Sequence, residues 1–556
     1  MAPGIDERSE RARNMADTGI IESAPAPAAA ESIGSQTSAV SDTRIVPLLR
    51  ILVFVGGFAS IGVELTASRL VAPFFGSSTF IWASLIGLTL AFLSLGYLLG
   101  GRLADRRPDP AILYTAAAVA AVAIGLIPFA SRPLLAASLI AFQELDAGAF
   151  YGSLVGTLLL LAPPITLLGF ISPFAIRLQM RDVQTAGQTA GSLYALSTIG
   201  SIAGSFVPIL VLIPIIGTSA TFMALSLLLL LPAIAGLLAV GARPVALAAA
   251  LAALAIPALA LAAPDGIRPP DRGELLHERE SAYNYIQVVE QDGRRSLILN
   301  EGRAVHSVYD PAELLTGGPW DYFMLAPLFV ASDAAPPRDA LLIGLAGGTA
   351  ARQLTAAFGP IPIAGVEIDP EIADVARDYF ALDDLENLEV IVADGRYALK
   401  TSDRRYDLIG VDAYRQPYIP FQLTSREFFE EVSQRLRPGG VVVVNAGRTA
   451  TDYRLVDALA STMRDVFPHV IAVDVARYTN TMLIASHEPL STEALMTNLA
   501  ALPDSSPVHE VAAWSLDSGN IRDVEPGGQV FTDDRAPIEL LIDQMIYDAA
   551  REITGP

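Results

Sequence analysis

The stretch from Asp339 to Asp412 decides the fold. It begins DALLIGLAGGTAARQL (339–354), continues through AGVEIDPEIADVAR (364–377) and LEVIVADGRYAL (388–399), and ends YDLIGVD (406–412). Each part contains an apolar run typical of a buried strand, and the first run enters a glycine-rich turn that opens a helical pattern. The repeated strand–turn–helix order predicts an α/β, Rossmann-like domain built on a parallel sheet.

Three acidic residues stand at or just beyond the ends of these strands. They are Glu367, Asp394 and Asp412. Because the carboxyl ends of parallel strands share one edge, we expect the three side chains to face a common crevice where nucleotide-like ligands bind. Glu367 is placed to accept both ribose hydroxyls, Asp394-Gly395 to bind the exocyclic amine of an adenine, and Asp412 to face the reacting end of the ligand.

The glycine-rich turn contributes Gly344, Gly347 and Gly348. Glycines there allow close approach of a ligand, and the helix that follows directs backbone amides toward it. Such a turn is weak evidence alone, and each acid considered singly is more often a solvated turn residue. Together, in this order, they predict a ligand of the S-adenosyl type. A nicotinamide site and a fold that has lost its ligand are the alternatives.

Composition limits the function classes. The chain has 556 residues, of which 52% are hydrophobic and 17% charged, with a net charge of −22. The apolar excess indicates membrane segments, and the negative charge argues against a nucleic-acid partner. There are no cysteines, and the five histidines show no metal-ligand spacing, so we expect no metal site.

The N-terminal half is predicted to be an α-helical polytopic membrane domain. Residues 1–44 are rich in Ala, Ser and acids and are expected to form a disordered arm. Residues 45–264 contain about seven apolar runs long enough to cross a bilayer as helices. These runs lie near 46–67, 79–101, 111–130, 151–173, 191–213, 219–240 and 243–264.

Orientation in the membrane follows from two conflicting arguments. With seven spans, the arginines near 102–107, 177–181 and 243 share one side, which the positive-inside rule makes cytoplasmic. Residue 265 onward would then lie outside. Adenosyl cofactors are made and kept in the cytoplasm, however, so we favour a multi-pass protein of the cell membrane with a cytoplasmic catalytic domain.

Residues 265–335 are predicted to form a linker and a small β subdomain, and residues 336–545 the Rossmann domain. Alternating apolar and polar residues around Asp292-Gly293 indicate a hairpin. The segment WDYFMLAPLFV (320–330) is predicted to be a helix.

After Asp412, Pro417 and Pro420 predict a flap over the ligand edge, and Thr424 or Ser425 caps the next helix. The remainder, 451–502, is predicted as helix, strand, strand and helix. Near the C-terminus, FTDDRAPIE places Asp533 and Asp534 in a loop. This pair is either a salt-bridged turn or a lip of the active site.

These motifs resemble the polyamine aminopropyltransferases, the spermidine synthase family, and most closely its membrane-fused branch. The resemblance covers about 280–540 and is carried by SAYNYIQVVE, LLIGLAGGT, GVEIDPEI, ADGRYAL, YDLIGVDAY, IPFQLTSREFF, LRPGG and FTDDRAP. It implies a methyltransferase-type sheet preceded by a small β domain. It also implies transfer of an aminopropyl group from decarboxylated S-adenosylmethionine to a primary amine such as putrescine, with Asp412 as the candidate base.

The resemblance has three departures. Soluble synthases carry an acid inside the glycine turn, where this chain has Ala346, and a second acid three residues after Asp412, where it has Arg415. A glutamine of the β subdomain is replaced near His306. The lost acids would hold amines, so Tyr414, Asp533 and Asp534 are the candidate substrate-binding residues in their place.

Three functions stay open from the sequence. The first is the membrane-anchored aminopropyltransferase, with the bilayer and a small amine as partners and a homodimer as one allowed assembly. The second is an S-adenosylmethionine-dependent methyltransferase, which would explain the missing amine-holding acids. The third is a non-catalytic polyamine transporter or sensor, with Glu64 inside the first span as its polar group.

Overall fold

The computed structural model describes residues 45–75, 79–144, 148–180, 182–262, 266–300, 304–331, 336–414, 418–516, 519–524 and 528–554. The predicted disordered arm, 1–44, lies outside the described residues, and so does Arg415.

The N-terminal half consists of α-helices built from the apolar runs. Their bounds are α1 Ile45–Phe75, α2 Thr79–Arg106, α3 Pro110–Glu144, α4 Gly148–Gly169, α5 Ile171–Gln179, α6 Ala186–Val207, α7 Ile213–Ala239 and α8 Arg243–Ala262. A 3₁₀ turn, Val183–Thr185, precedes α6, and a π-helical turn, Pro208–Leu212, joins α6 to α7.

Six helical stretches in the described part of the chain are long and apolar enough to cross a membrane. One of them, Val183–Ala239, has 57 residues. It contains the predicted span 191–213 and all but the last residue of the predicted span 219–240. About 20 residues suffice to cross a bilayer, and Gly217 interrupts the helix with φ 78° and ψ 169°. The predicted number of about seven spans therefore stays a prediction.

Close helix packing in this half depends on glycine. A Cβ atom at Gly57 of α1 would lie 2.1 Å from the backbone oxygen of Ser197, and one at Gly200 of α6 would lie 2.1 Å from that of Phe54. A Cβ at Gly204 would lie 2.3 Å from the oxygen of Phe58. Close packing of α1 against α6 therefore requires glycine at these positions, because no larger residue fits between the two backbones.

The small β subdomain is a four-stranded antiparallel sheet in the order β1-β2-β3-β4. Its strands are β1 Glu274–Glu280, β2 Tyr285–Gln291, β3 Arg294–Leu299 and β4 Val305–Tyr309. Asp292 and Gly293 link β2 to β3 with positive φ values of 55° and 83°. Two positive φ angles are the requirement of a two-residue hairpin turn that matches strand twist, so the predicted hairpin is confirmed.

The segment predicted as one helix, 320–330, differs in the structure. It forms two 3₁₀ turns, Pro319–Met324 and Ala326–Phe329, which are buried throughout. Pro327 has no backbone N–H, and its ring clashes with the carbonyl four residues earlier, which disfavours a regular α-helix through this segment.

The C-terminal half is organised by one eight-stranded sheet in the order β12-β10-β11-β9-β8-β5-β6-β7. Its strands are β5 Ala340–Ile343, β6 Ile363–Glu367, β7 Leu388–Val392, β8 Tyr406–Val411, β9 Leu436–Gly447, β10 His469–Asp474, β11 Asn480–Ser486 and β12 Ile521–Asp523. The five neighbouring strands β9, β8, β5, β6 and β7 are parallel to one another. β11 pairs antiparallel with β9, β10 with β11, and β12 with β10. A parallel sheet with an antiparallel β11 beside β9 is the methyltransferase-type arrangement that the resemblance implies.

Helices cover the sheet. They are α9 Thr349–Phe358, α10 Pro370–Phe380, α11 Gly395–Thr401, α12 Arg426–Arg435, α13 Arg454–Arg464, α14 Thr492–Ala500, α15 Val508–Leu516 and α16 Ile538–Thr554. The Ser425 hydroxyl caps α12 by accepting from Phe428 N at 3.2 Å, which confirms the predicted cap. The predicted helix, strand, strand and helix within 451–502 are confirmed, whereas β12, α15 and α16 were not predicted.

Candidate active site

The three predicted acids, Glu367, Asp394 and Asp412, line one cavity of about 770 Å³. The cavity lies where β5, β6, β7 and β8 end, because the acids stand at or just after the ends of three of these strands. The order of strands reverses at β5, and the crevice beside such a reversal is where open α/β sheets bind ligands.

Gly344 brings the glycine turn against the end of β8. Its φ of +93° lies in the left-handed region, and a Cβ atom there would be 2.5 Å from the backbone oxygen of Asp412. Asp412 N in turn donates to Ile343 O at 2.8 Å. Only glycine satisfies both conditions, so Gly344 fixes Asp412 at the wall of the cavity, which Gly344 also lines.

The amides of the turn bond to the protein rather than pointing at a ligand. Ala346 N donates to Glu367 Oε2 at 3.0 Å, and Gly347 N to the Ser307 hydroxyl at 2.8 Å. Gly348 N donates to Leu345 O at 2.9 Å. Gly347 and Gly348 are not among the described residues that line the cavity. We therefore revise the expected role of the turn. Its Ala346 amide orients Glu367, and the contacts with a ligand would come from side chains.

Glu367, the last residue of β6, has a fixed and buried carboxylate. Its Oε2 accepts from Ala346 N at 3.0 Å and its Oε1 from Asp369 N at 3.1 Å. Burial raises its pKa to about 7, although these hydrogen bonds favour the ionised form. Both oxygens retain lone pairs, so the group can accept from two neighbouring hydroxyls of a ligand.

Asp394 and Gly395 form the start of α11 at the cavity wall. Asp394 Oδ1 accepts from Tyr397 N at 2.9 Å, which caps the helix. A Cβ atom at Gly395 would lie 2.3 Å from Cγ2 of Ile343, so a side chain there would push α11 away from β5. The cap uses one carboxylate oxygen of Asp394 and leaves the other available to a ligand amine.

Asp412 combines burial with two side-chain donors. Its Oδ1 accepts from Nδ2 of Asn445 at 2.8 Å, and the Trp320 indole also donates to the carboxylate. Burial raises the pKa of Asp412 to about 7, and the two donors oppose that rise. A carboxylate with a pKa near neutrality, fixed at a cavity wall, is suited to accept a proton.

Tyr414 lines the cavity, but its hydroxyl forms two hydrogen bonds within the protein. It donates to Asn445 O at 2.9 Å and accepts from Gly447 N at 2.6 Å. Burial, followed by the nearby Asp412 charge, raises the pKa of Tyr414. Tyr414 therefore offers a substrate its ring face, while its hydroxyl fastens the segment after β8 to β9.

Asp533 and Asp534 are not among the described residues that line the cavity. Asp533 Oδ1 accepts from Arg396 Nη1 at 2.7 Å and from the Ser425 hydroxyl at 2.5 Å. The pKa of Asp533 is lowered, first by Arg396. Of the two predicted alternatives the structure favours the salt-bridged turn, and the predicted amine-binding role of the pair has no geometric support.

Several cavity residues were missed by sequence reasoning. They include Arg69 of α1, Trp320, Asn445, Tyr478, Asn480 and Glu539. The sequence contained a signal for Glu539, since it ends the motif FTDDRAPIE, five residues after Asp534, and lies in the first turn of α16. Nothing in the sequence pattern of α1 could have assigned Arg69 to a site more than 200 residues away.

His306 also lines the cavity, at the position where the resemblance implies a glutamine. Its Nε2 is buried with no hydrogen-bond partner in the described part of the protein. Burial lowers its pKa to about 4, so the imidazole is neutral at neutral pH and adds no positive charge to the cavity.

The predicted flap borders the cavity through Tyr418, Pro420 and Phe421. Tyr418 donates from its hydroxyl to Asp543 of α16. The flap and α16 are therefore joined, and α16 is the helix that carries Glu539.

The sheet order defines a Rossmann-like domain of the methyltransferase type. Residues 324–490 match the family model for the spermine/spermidine synthase domain. The chain therefore contains a segment similar to the spermine/spermidine synthase domain, and curated proteins similar to it are named polyamine aminopropyltransferases.

Two curated relatives and one solved structure are similar to this chain. A probable polyamine aminopropyl transferase of Bifidobacterium longum is 35% identical over 295 residues, which are 50% of this chain and 65% of the relative. The polyamine aminopropyltransferase of Vibrio vulnificus is 32% identical over 200 residues, 35% of this chain and 65% of the relative. The chain therefore spans 65%, less than two thirds, of the length of either relative. The crystal structure of a probable spermidine synthase from Corynebacterium glutamicum, at 22% identity, aligns over 47% of this chain and 98% of that one with a TM-score of 0.35.

Proposed function

We propose that this protein is a membrane-anchored aminopropyltransferase that moves the aminopropyl group of decarboxylated S-adenosylmethionine to a primary amine. The observation that supports it is the convergence of Glu367, Asp394 and Asp412 on one cavity. Glu367 would accept the ribose hydroxyls and Asp394 the adenine amine. Asp412 would then lie beside the sulfonium end of the donor.

The reaction is a displacement at carbon. The neutral amine nitrogen forms a bond to the propyl carbon beside sulfur, and the carbon–sulfur bond breaks with its electron pair going to sulfur. Methylthioadenosine leaves as a neutral thioether. The nitrogen carries an extra proton at that stage, and Asp412, with a pKa raised to about 7, accepts it.

Positioning of the base depends on a chain of amides. Asn480 Nδ2 donates to Asn445 Oδ1 at 2.9 Å, and Asn445 Nδ2 donates to Asp412 Oδ1 at 2.8 Å. Because the acceptor oxygen of Asn445 is used by Asn480, its amide nitrogen must face Asp412. Asp412 therefore keeps one fixed orientation, which lowers the entropy lost on reaching the reactive geometry.

The amine is held by a different acid from those predicted. With Ala346 in the glycine turn and Asp533 in a salt bridge, Glu539 is the remaining described acid on the cavity wall besides the three at the strand ends. A carboxylate at that wall attracts an ammonium group and screens the cationic donor. We propose Glu539 as the second amine-binding acid.

The site of action follows from the same proposal. The donor is a cytoplasmic metabolite, so the catalytic half would lie on the cytoplasmic side of the cell membrane. The six apolar helical stretches would anchor it there.

One experiment tests the reaction class. The full chain, reconstituted in lipid nanodiscs, is incubated with putrescine and either decarboxylated or ordinary S-adenosylmethionine, and the adenosyl by-products are quantified. Methylthioadenosine from the decarboxylated donor is expected, with Asp412→Asn as the inactive control. Adenosylhomocysteine from the ordinary donor would instead indicate a methyltransferase. Donor binding without either by-product would indicate a binding protein.

A further inference from the structure

The wall of the cavity includes a residue from the membrane half. Arg69 of α1 lines it and donates from Nη2 to the backbone oxygen of Ala282, in the turn between β1 and β2. Arg69 also lies within the apolar stretch Ile45–Pro73. The cavity is therefore within one side chain of the end of a candidate membrane span.

Two further contacts join β1 and the segment just before it to the apolar helices. Thr218 N, beside the break at Gly217, donates to Glu280 Oε2 at 3.2 Å. Arg268 Nη1 donates to Pro73 O at 2.8 Å. With α1 spanning the bilayer, these contacts place the β1–β2 side of the cavity at the level of the lipid headgroups.

The cavity is bordered by exposed apolar side chains. Tyr283, Val305, Phe421 and Tyr478 all line it, and each is between 41% and 54% exposed. Three of the four are aromatic, and tyrosine in particular is favoured where one end of the ring is apolar and the other is wet. Exposed apolar side chains grouped around one cavity are typical of a surface that contacts an apolar molecule or a membrane.

Charges in the cavity are mixed. Among the described lining residues the acids are Glu367, Asp394, Asp412 and Glu539, and Arg69 is the one arginine or lysine. A guanidinium repels a polyammonium chain but binds phosphate strongly. The combination of an amine-attracting wall, a guanidinium and an apolar border matches one class of molecule, in which an amine, a phosphate and acyl chains follow one another.

We propose that the acceptor amine is the headgroup amine of a phospholipid of the phosphatidylethanolamine type, with its phosphate bound by Arg69. This inference rests on the proposed aminopropyl transfer. The lipid nitrogen forms the new bond to the propyl carbon, the carbon–sulfur bond breaks toward sulfur, and Asp412 takes the proton. The products are methylthioadenosine and a lipid whose headgroup is extended by one aminopropyl group.

The test supplies the decarboxylated donor to the full chain in vesicles of phosphatidylcholine with or without phosphatidylethanolamine. Matched samples lack that lipid and contain soluble phosphoethanolamine, ethanolamine or putrescine. Mass spectrometry of the lipid fraction is expected to find the aminopropylated lipid. Turnover of the vesicle lipid should exceed that of phosphoethanolamine, because only the lipid contacts the apolar border.

Variants separate the two recognition elements. Arg69→Gln should lower lipid turnover about ten-fold more than ethanolamine turnover, since only the lipid has a phosphate. Tyr478→Ser should raise the KM for the vesicle lipid more than that for phosphoethanolamine. Arg272→Gln, an exposed arginine outside the cavity, is the matched control. Binding of the donor by each variant verifies that it is folded.

Each other outcome overturns the inference. Methylthioadenosine formed with putrescine but no modified lipid would reject the lipid acceptor and leave the proposed transferase intact. A lipid product unaffected by Arg69→Gln would reject the phosphate contact, and equal turnover of phosphoethanolamine and vesicle lipid would reject the bilayer as the source. No methylthioadenosine with any amine would reject the transferase itself.

Discussion

Asn445 donates from Nδ2 to Oδ1 of Asp412 at 2.8 Å, and this bond joins the end of β9 to the end of β8 at the cavity wall. It favours the ionised form of a carboxylate whose burial favours the protonated form. The balance leaves the pKa of Asp412 near 7, which is where a general base works best at neutral pH.

Asp412→Asn should abolish turnover while leaving donor binding nearly intact. The amide occupies the same space but cannot accept the proton, and loss of a general base typically costs about 10²- to 10⁴-fold in rate. The measurement is kcat by release of methylthioadenosine, together with donor Kd by calorimetry. An unchanged kcat would remove Asp412 from the mechanism.

Asn445→Ala should shift the acid side of the pH–rate profile to higher pH. In the native protein the rate should rise with pH through about 7, because only ionised Asp412 acts as base. Without the hydrogen bond from the Asn445 amide, the Asp412 carboxylate is harder to ionise, so its pKa rises. A hydrogen bond to a charged group is worth about 1.5–3 kcal/mol, which corresponds to a shift of about one to two pH units.

The control for this shift is Asn480→Ala. It removes only the hydrogen bond that orients Asn445, so it should shift the acid side of the pH–rate profile by less than Asn445→Ala does. A profile that stays in place in Asn445→Ala would show that the limb belongs to another group, such as Glu367, whose pKa is also raised to about 7.

Local periodicity was enough to predict the strands β5 to β8 and the convergence of their three acids. The reason is that a parallel sheet places all its carboxyl ends at one edge. The glycine turn was interpreted less well. Its amides bond to Glu367 and Ser307, and no local pattern encodes the pairing of groups that are 21 and 40 residues apart in the chain.

The ion-pair partner of a loop residue such as Asp533 cannot be predicted from the local sequence. The sequence places two acids in a loop and cannot say which cation they meet, because Arg396 lies 137 residues earlier in the chain. Glu539 follows in the same motif, but whether it faces the cavity depends on how α16 packs. The partners of α16 include Tyr418 of the flap and Arg454 of α13, which are distant in the sequence.

Asp533→Asn should lower stability and leave the KM for both substrates unchanged. The side chain of Arg396 is 12% exposed and also pairs with Glu431, while that of Asp533 is 43% exposed. Solvent screening limits the loss to about 1 kcal/mol. Because Arg396 lowers the pKa of Asp533, the stabilisation is present at neutral pH and is lost only as the pH falls below the usual carboxyl range.

The measurement is the unfolding temperature of the full chain in nanodiscs at pH 7, with Asp534→Asn as the neighbouring control. Asp534 is exposed and should tolerate the change. A raised amine KM in Asp533→Asn, with unchanged stability, would return Asp533 to the substrate site.

Glu539→Gln should raise the KM for the amine about ten-fold and change kcat and donor affinity little. Its carboxylate lines the cavity from the first turn of α16 and would attract the ammonium group, and removal of one charge–charge contact of this kind costs about 1–2 kcal/mol at a partly solvated site. The measurement is the KM of whichever amine is turned over, beside donor Kd. Glu510→Gln, an exposed acid on α15, is the matched control. A KM equal to that of the native protein would leave Asp412 as the acid that binds the amine as well as the one that deprotonates it.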